Sequence, residues 1–261
     1  MFKLDFINNV HWLIFYSVII LSWFLLFILG ANYQVTEKSI DILDIEFWAS
    51  ICRPNANLFD FPKFFLMWSL MSLGMMLPTI IPTLRTYDDL IKGKIGKRAG
   101  FYKMVMGFCC VWIIFSSFAS VLQMLLIYLN LINFDGILFN PIFSGIVLLL
   151  AGAYQFSSLK EACLSKCRSP ITFFLEYGSQ VHNYEFSLGL RIGAYCLGCC
   201  WLLMLLAFIG GTMNLFFMAV AMLLMTFEKL PDIGIYVTKP IAFSLIILSF
   251  IYFLSPLRMY V

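Results

Sequence analysis

Seven apolar stretches, near residues 12–30, 64–84, 104–129, 138–156, 192–210, 212–228 and 240–256, alternate with shorter segments that gather the charged side chains. A helix rises 1.5 Å per residue, so roughly 20 apolar residues are needed to cross about 30 Å of hydrocarbon. That length recurs along the chain. The pattern predicts an all-α fold, a polytopic transmembrane helical bundle of about seven helices, with residues 1–261 as a single integral membrane domain. The fifth and sixth stretches are separated only by Gly210-Gly211. A re-entrant hairpin there would reduce the count to six. The first stretch, Trp12 to Gly30, is long, lacks a small-residue end and is followed by further spans, which reads as a retained helix rather than a signal peptide.

Composition sharpens this picture. Of the residues, 62% are hydrophobic and 12% charged, and mean hydropathy is +0.93, whereas soluble domains are about a quarter charged. The net charge of +3 is too small to suggest a nucleic-acid partner, so the bilayer itself is the expected environment. Placing the N-terminus in the cytoplasm puts Lys3, the six basic residues from Arg85 to Lys103, Lys160, Lys166, Arg168, Arg191, Lys229 and Lys239 inside. Only Lys38, Arg53, Lys63 and Arg258 remain outside. The positive-inside rule therefore predicts a multi-pass protein of a bacterial inner membrane with a cytoplasmic N-terminus and an outer C-terminus. Residues 31–63 then form an extracytoplasmic loop, whose Trp48, Phe59 and Phe61 suit the headgroup level. The segment Arg85 to Lys103 reads as a basic loop lying against anionic headgroups.

Within the second stretch, Pro78 and Pro82 follow Met71, Met75 and Met76, which predicts a kink that frees backbone carbonyls. Phosphate-binding glycine loops, a nucleophile elbow and a His-Glu-x-x-His helix are absent. The two histidines, His11 and His182, give histidine chemistry little to work with. His11 is expected at the lipid interface beside Trp12, and His182 in a solvated loop.

Cysteine is the exception. Five of the eight cysteines fall in two motifs, Cys163-x3-Cys167 and Cys196-x2-Cys199-Cys200. Residues three or four apart share a helix face, so each motif presents its thiols together, and Met204 continues the second stripe. If the two faces meet they form a pocket of three to five sulfurs, expected at the cytoplasmic end of the bundle. In a reducing compartment these are thiolates rather than disulfides. Thiolates with thioether neighbours suit Cu(I), and four thiolates suit zinc as the alternative ion. Lys160, Lys166, Arg168 and Arg191 are placed to favour the thiolate form. Cys52, Cys109 and Cys110 read as packing residues. Met204, Met213, Met218, Met222 and Met225 read either as core packing or as a soft-ligand path. Asn214 and Glu228 are polar groups at the borders of the sixth stretch, and Glu228 with Lys229 reads as a helix cap at the membrane surface.

The run Tyr154-Gln155-x3-Leu159-Lys160-x2-Cys163-Leu164-x2-Cys167-Arg168-Ser169-Pro170 is followed by Gly189-x3-Gly193-x2-Cys196-Leu197-Gly198-Cys199-Cys200-Trp201-x2-Met204. Met213-Asn214, Glu228-Lys229 and Met75-Met76-Leu77-Pro78 complete the set. Together they resemble a bacterial family of predicted metal-binding integral membrane proteins, a domain of unknown function often labelled copper chaperone. The resemblance extends over about Met67 to Tyr252. It implies a metal-binding core over residues 64–256 with Cys163, Cys167, Cys196, Cys199 and Cys200 as ligands, and Met75, Met76, Met204 and Met213 as soft partners. Ser158 departs from a proline common in the family, and Phe217 from a tryptophan; neither is a candidate ligand.

The leading expectation is thus a membrane protein that binds a soft metal ion, foremost Cu(I), for delivery, storage or passage, exchanging it with a copper-carrying or copper-receiving protein. A membrane thiol-disulfide oxidoreductase is one alternative. A non-catalytic assembly subunit whose cysteines only pack is another.

Overall fold

The computed structural model describes residues 10–34, 60–91, 98–133, 136–177, 184–212, 214–231 and 233–254. Ten helices account for most of them: α1 (Val10–Gln34), α2 (Phe61–Met76), α3 (Ile81–Ile91), α4 (Arg98–Tyr128), α5 (Pro141–Tyr154), α6 (Ser158–Arg168), α7 (Pro170–Tyr177), α8 (Tyr184–Leu205), α9 (Leu215–Glu228) and α10 (Gly234–Leu254). A 3-10 turn, Leu77–Ile80, joins α2 to α3, and one helical turn, Ala207–Gly210, extends α8. No strand occurs among the described residues, only a single bridge between Ile132 and Leu138. The helical bundle expected from the sequence is the observed fold.

Each of the seven apolar stretches is helical, but they differ in reach. Five are long and apolar enough to cross a membrane: Val10–Ile28, Phe61–Leu90, Ala99–Tyr128, Tyr184–Gly210 and Gly234–Leu254. The fourth stretch is α5, which α6 follows at a bend of 61°, and the pair raises the count to six if taken as one broken span. The sixth stretch, α9, has 14 residues and so is only about 21 Å long, short of a full hydrocarbon crossing. Gly211, at φ 92°, turns the chain between α8 and α9 in a backbone conformation that glycine adopts without cost. Asn214 then caps α9, accepting from the Phe217 amide at 3.1 Å.

The kink expected in the second stretch takes the form of the 3-10 turn Leu77–Ile80 within one continuous span. Pro78 cannot donate to the carbonyl of Gly74. That carbonyl accepts instead from the Trp23 indole of α1 at 3.0 Å, which satisfies it without water. The 3-10 turn around Pro78 carries Met76 and Thr79 toward the centre of the bundle.

Two surface expectations need correction. The segment Arg85 to Lys103 is largely helical: α3 continues to Ile91 and α4 begins at Arg98, while residues 92–97 lie outside the described set. Helical periodicity persists there because Leu84, Tyr87 and Phe101 are buried. His11 does not face lipid. It is buried, with its ring edge-on to Phe101 at 4.8 Å and Nε2 3.5 Å from Asp88 Oδ1, while Trp12 Nε1 donates to Asp88 at 3.2 Å. Asp88 therefore anchors α1 to α3. The loop assigned to 31–63 falls mainly on residues 35–59, outside the described residues, as do Cys52 and His182. Helices α4 and α8 share the most extensive interface, α5 and α10 the next.

Candidate metal centre

Helix α8 supplies the first half of the site. Gly189, Gly193, Cys196, Cys200 and Met204 recur at three- or four-residue intervals and form one stripe, buried throughout. The glycines lie against α4, and one turn further the thiols come opposite the 3-10 turn. Cys200 Sγ is 3.9 Å from Met76 Sδ, and Cys196 Sγ is 3.7 Å from Thr79 Oγ1. Both Cys199 and Cys200 thiols donate to the Cys196 carbonyl, at 3.1 and 2.8 Å. Cys196 stands twelve residues beyond Tyr184, about 18 Å along the helix. The cluster therefore sits midway along α8 and not at the end of the bundle where the sequence placed it.

Helix α6 supplies the second half. The bend after α5 is set by Ser157, whose hydroxyl accepts from the Leu159 amide at 3.2 Å and starts α6 in a new direction. Cys163 and Cys167 then lie one turn apart facing α8. Cys167 is buried beside Cys199 and Cys196 of α8. The two faces predicted from spacing thus meet. Cys163 is half-buried at the rim, so close to α8 that a Cβ on Gly198 would lie 2.7 Å from its Sγ. The Tyr154 hydroxyl donates to the Gly198 carbonyl and ties the end of α5 to the same point. Gly198→Ala is accordingly expected to push Cys163 outward. With Cys52, Cys109 and Cys110 replaced by serine, maleimide labelling of Cys163 should accelerate severalfold while the buried four stay protected.

The cations around the site are not used as the sequence suggested. Lys160 Nζ bonds both carboxylate oxygens of Glu228, at 2.9 and 3.0 Å, and also Gln155. Arg168 donates to the Glu228 carbonyl at 2.8 Å, to Glu161 at 3.1 Å and to Thr238 at 3.0 Å. Gly234 makes room for that guanidinium, since a Cβ there would lie 2.8 Å from Arg168 Nε. Lys166 pairs with Glu176, and this hydrogen bond holds the exposed carboxyl below its ordinary range. Arg191 lies over the Tyr177 ring at 4.6 Å. The cation that reaches sulfur is Lys229, whose Nζ is 2.8 Å from Cys196 Sγ and 3.0 Å from Thr79 Oγ1. Glu228 and Lys229 are both buried, which overturns their reading as a surface cap. A lysine closing a short apolar helix was the visible signal for this role. Thr79 carried none beyond its place next to Pro78.

Of the thioether candidates, Met76 touches the cluster. Met75 and Met204 are buried beside it in sequence, and Met213 lies outside the described residues. Among the described residues no group of three or more His, Cys, Asp or Glu side chains stands ready-made to hold a metal ion. The Cys199 and Cys200 thiols donate to the Cys196 carbonyl, and the Cys196 sulfur receives the Lys229 ammonium. Their chemistry nonetheless fits a soft monovalent ion, because such an ion can be held by as few as two thiolates and no hard oxygen donor is required.

Comparison with known proteins adds one finding. No curated protein and no solved structure matches the chain. A family model described as PpoB2, copper chaperone, matches residues 65–252, a range that includes the 3-10 turn, the bent pair, both cysteine motifs and Lys229. On that match the chain belongs to the PpoB2 copper chaperone family.

Proposed function

We propose that this protein is a copper-handling membrane protein that holds Cu(I) as cargo among Cys167, Cys196, Cys199 and Cys200, with Met76 as a thioether neighbour and Cys163 as the rim thiol. The observation that carries the reading is the meeting of two separate cysteine motifs, with Cys167, Cys196, Cys199 and Cys200 all buried and Cys163 against Gly198. Free cysteine is a good packing residue, but packing alone does not require four thiols from two helices to converge around a buried ammonium. Soft sulfur donors in an apolar surrounding select Cu(I) over harder ions, and the family's description as copper chaperone agrees with that chemistry.

On this reading residues 64–256 form the metal-binding core of one membrane domain, in a bacterial inner membrane with the N-terminus in the cytoplasm. The protein exchanges copper with a carrier or acceptor protein, for delivery, storage or passage. Cys163, half-exposed beside the buried four, is the thiol through which such exchange starts.

The test is elemental analysis of detergent-purified protein prepared anaerobically with reductant, before and after loading with Cu(I), beside a variant with Cys163, Cys167, Cys196, Cys199 and Cys200 changed to serine. The expected result is about one copper per chain, absent from the variant. Zinc retained in place of copper would correct the ion. No metal in the wild type after Cu(I) loading would overturn the reading.

A further inference from the structure

Three cations and two carboxylates meet around the thiol cluster, and their pairing leaves a remainder. Lys160 is matched by Glu228, and Arg168 by Glu161. Lys229 is 3% exposed, and its Nζ contacts are a cysteine sulfur and a threonine hydroxyl. A buried ammonium is stable only beside an anion or a full set of acceptors. Thr79 offers one acceptor, and its own hydroxyl proton is spent on the Met76 carbonyl at 2.7 Å. The anion that completes the environment of Lys229 is therefore sulfur.

We infer that Lys229 is the built-in counter-cation of the metal site, and that it sets the site's preference for a monovalent ion held by two thiolates. This rests on the copper reading above. The charge count is short. Two thiolates contribute −2, Cu(I) contributes +1 and Lys229 contributes +1, so the loaded site is neutral. A divalent ion on the same two thiolates would leave +1 in a buried, apolar surrounding, where an uncompensated charge is costly. A third thiolate on Cu(I) would leave −1. Lys229 thus acts through charge as a specificity-determining residue without being a ligand. Its position is fixed from both sides: it caps α9 directly after Glu228, whose carboxylate is held by Lys160, and its ammonium is held by Thr79 of the 3-10 turn.

The experiment compares wild type, Lys229→Arg and Lys229→Met as full-length protein in detergent. Each is loaded from a Cu(I) source buffered by a chelator, and separately from a mixture of Cu(I) and Zn(II). Sulfur coordination of the wild type is read by X-ray absorption. The expected result is that Lys229→Met lowers Cu(I) affinity roughly tenfold or more, because the attraction is made in a low-dielectric site, and raises the zinc share in the mixture. Lys229→Arg should restore the wild-type ratio, and the wild-type spectrum should show two sulfur neighbours. Unchanged affinity and ion ratio in Lys229→Met, with copper bound by the wild type, overturn this inference and leave the copper reading standing. A wild type that takes up no Cu(I) removes both. If Lys229→Met does not fold, absorption on a Met76→Leu variant decides, since three or more sulfurs around copper in the absence of that neutral thioether contradict the charge count.

Discussion

Gly189→Val is expected to abolish the stable bundle, with the purified protein aggregating or losing its cooperative thermal transition in size-exclusion or tryptophan-fluorescence melts. A Cβ at Gly189 would lie 2.1 Å from the Met104 carbonyl oxygen, and one at Gly107 would lie 2.3 Å from the Phe186 carbonyl oxygen. The obstacles are backbone atoms of α4 and α8 on opposite sides of the same crossing, so neither helix can yield by rotating a side chain. Within membranes helix association depends on such close approach, because burying apolar surface from lipid gives little. Overpacking a core usually costs about 1–3 kcal/mol, and a backbone clash in the largest interface of the bundle should exceed that range. Gly107→Val should behave alike. Gly74→Ala is the contrast: its nearest obstacle is the Leu26 Cδ1 atom at 3.3 Å, the far end of a side chain, and a shift of a few degrees in melting temperature is expected. Since α8 also carries Cys196, Cys199 and Cys200, displacement of this crossing should lower copper loading even where some protein survives.

The all-helical bundle was legible in the sequence because apolar runs of sufficient length leave few other folds in a bilayer. The kink was legible for the same kind of reason, since Pro78 removes a specific hydrogen bond. That Trp23 would donate to the orphaned Gly74 carbonyl was not, because the pairing joins positions 51 residues apart. Cysteine spacing correctly announced two faces, and the packing of α6 against α8, with Cys163 at Gly198, brings them together. The depth of the site was misjudged because Cys163 and Cys167 follow the fourth stretch, 138–156, and were read as lying past its end. The chain instead bends by 61° after Tyr154 and packs α6 against α8. The same bend turns Lys160 and Arg168 into a network with Glu228 and leaves the sulfur contact to Lys229. A charge pattern read along the chain assigns neighbours by sequence distance. Lys229 lies 33 residues from Cys196 and was therefore missed.

Glu228→Ala is the second change with a large expected effect. Lys160 is 1% exposed and Glu228 2%, and the carboxylate receives two hydrogen bonds from the one ammonium. Removing it leaves Lys160 with Gln155 as its remaining partner. Breaking a buried ion pair from one side costs about 3–5 kcal/mol, most of it the penalty of the stranded charge. Glu228→Ala should therefore melt well below the wild type, and Lys160→Met should lose a comparable amount. The double variant Lys160→Met/Glu228→Met should be more stable than either single one, because no charge is stranded and the volumes are nearly kept. A double-mutant cycle on detergent-solubilised protein measures this directly, and additive losses would show that the two side chains do not act as a pair. The backbone carbonyl of Glu228 and the Thr238 hydroxyl still accept from Arg168 in every variant, so α6 keeps two tethers to the α9–α10 corner. The double variant should accordingly retain Cys167 against Cys199 and load copper, which separates the pair's contribution to stability from the contribution of Lys229 to the charge of the site.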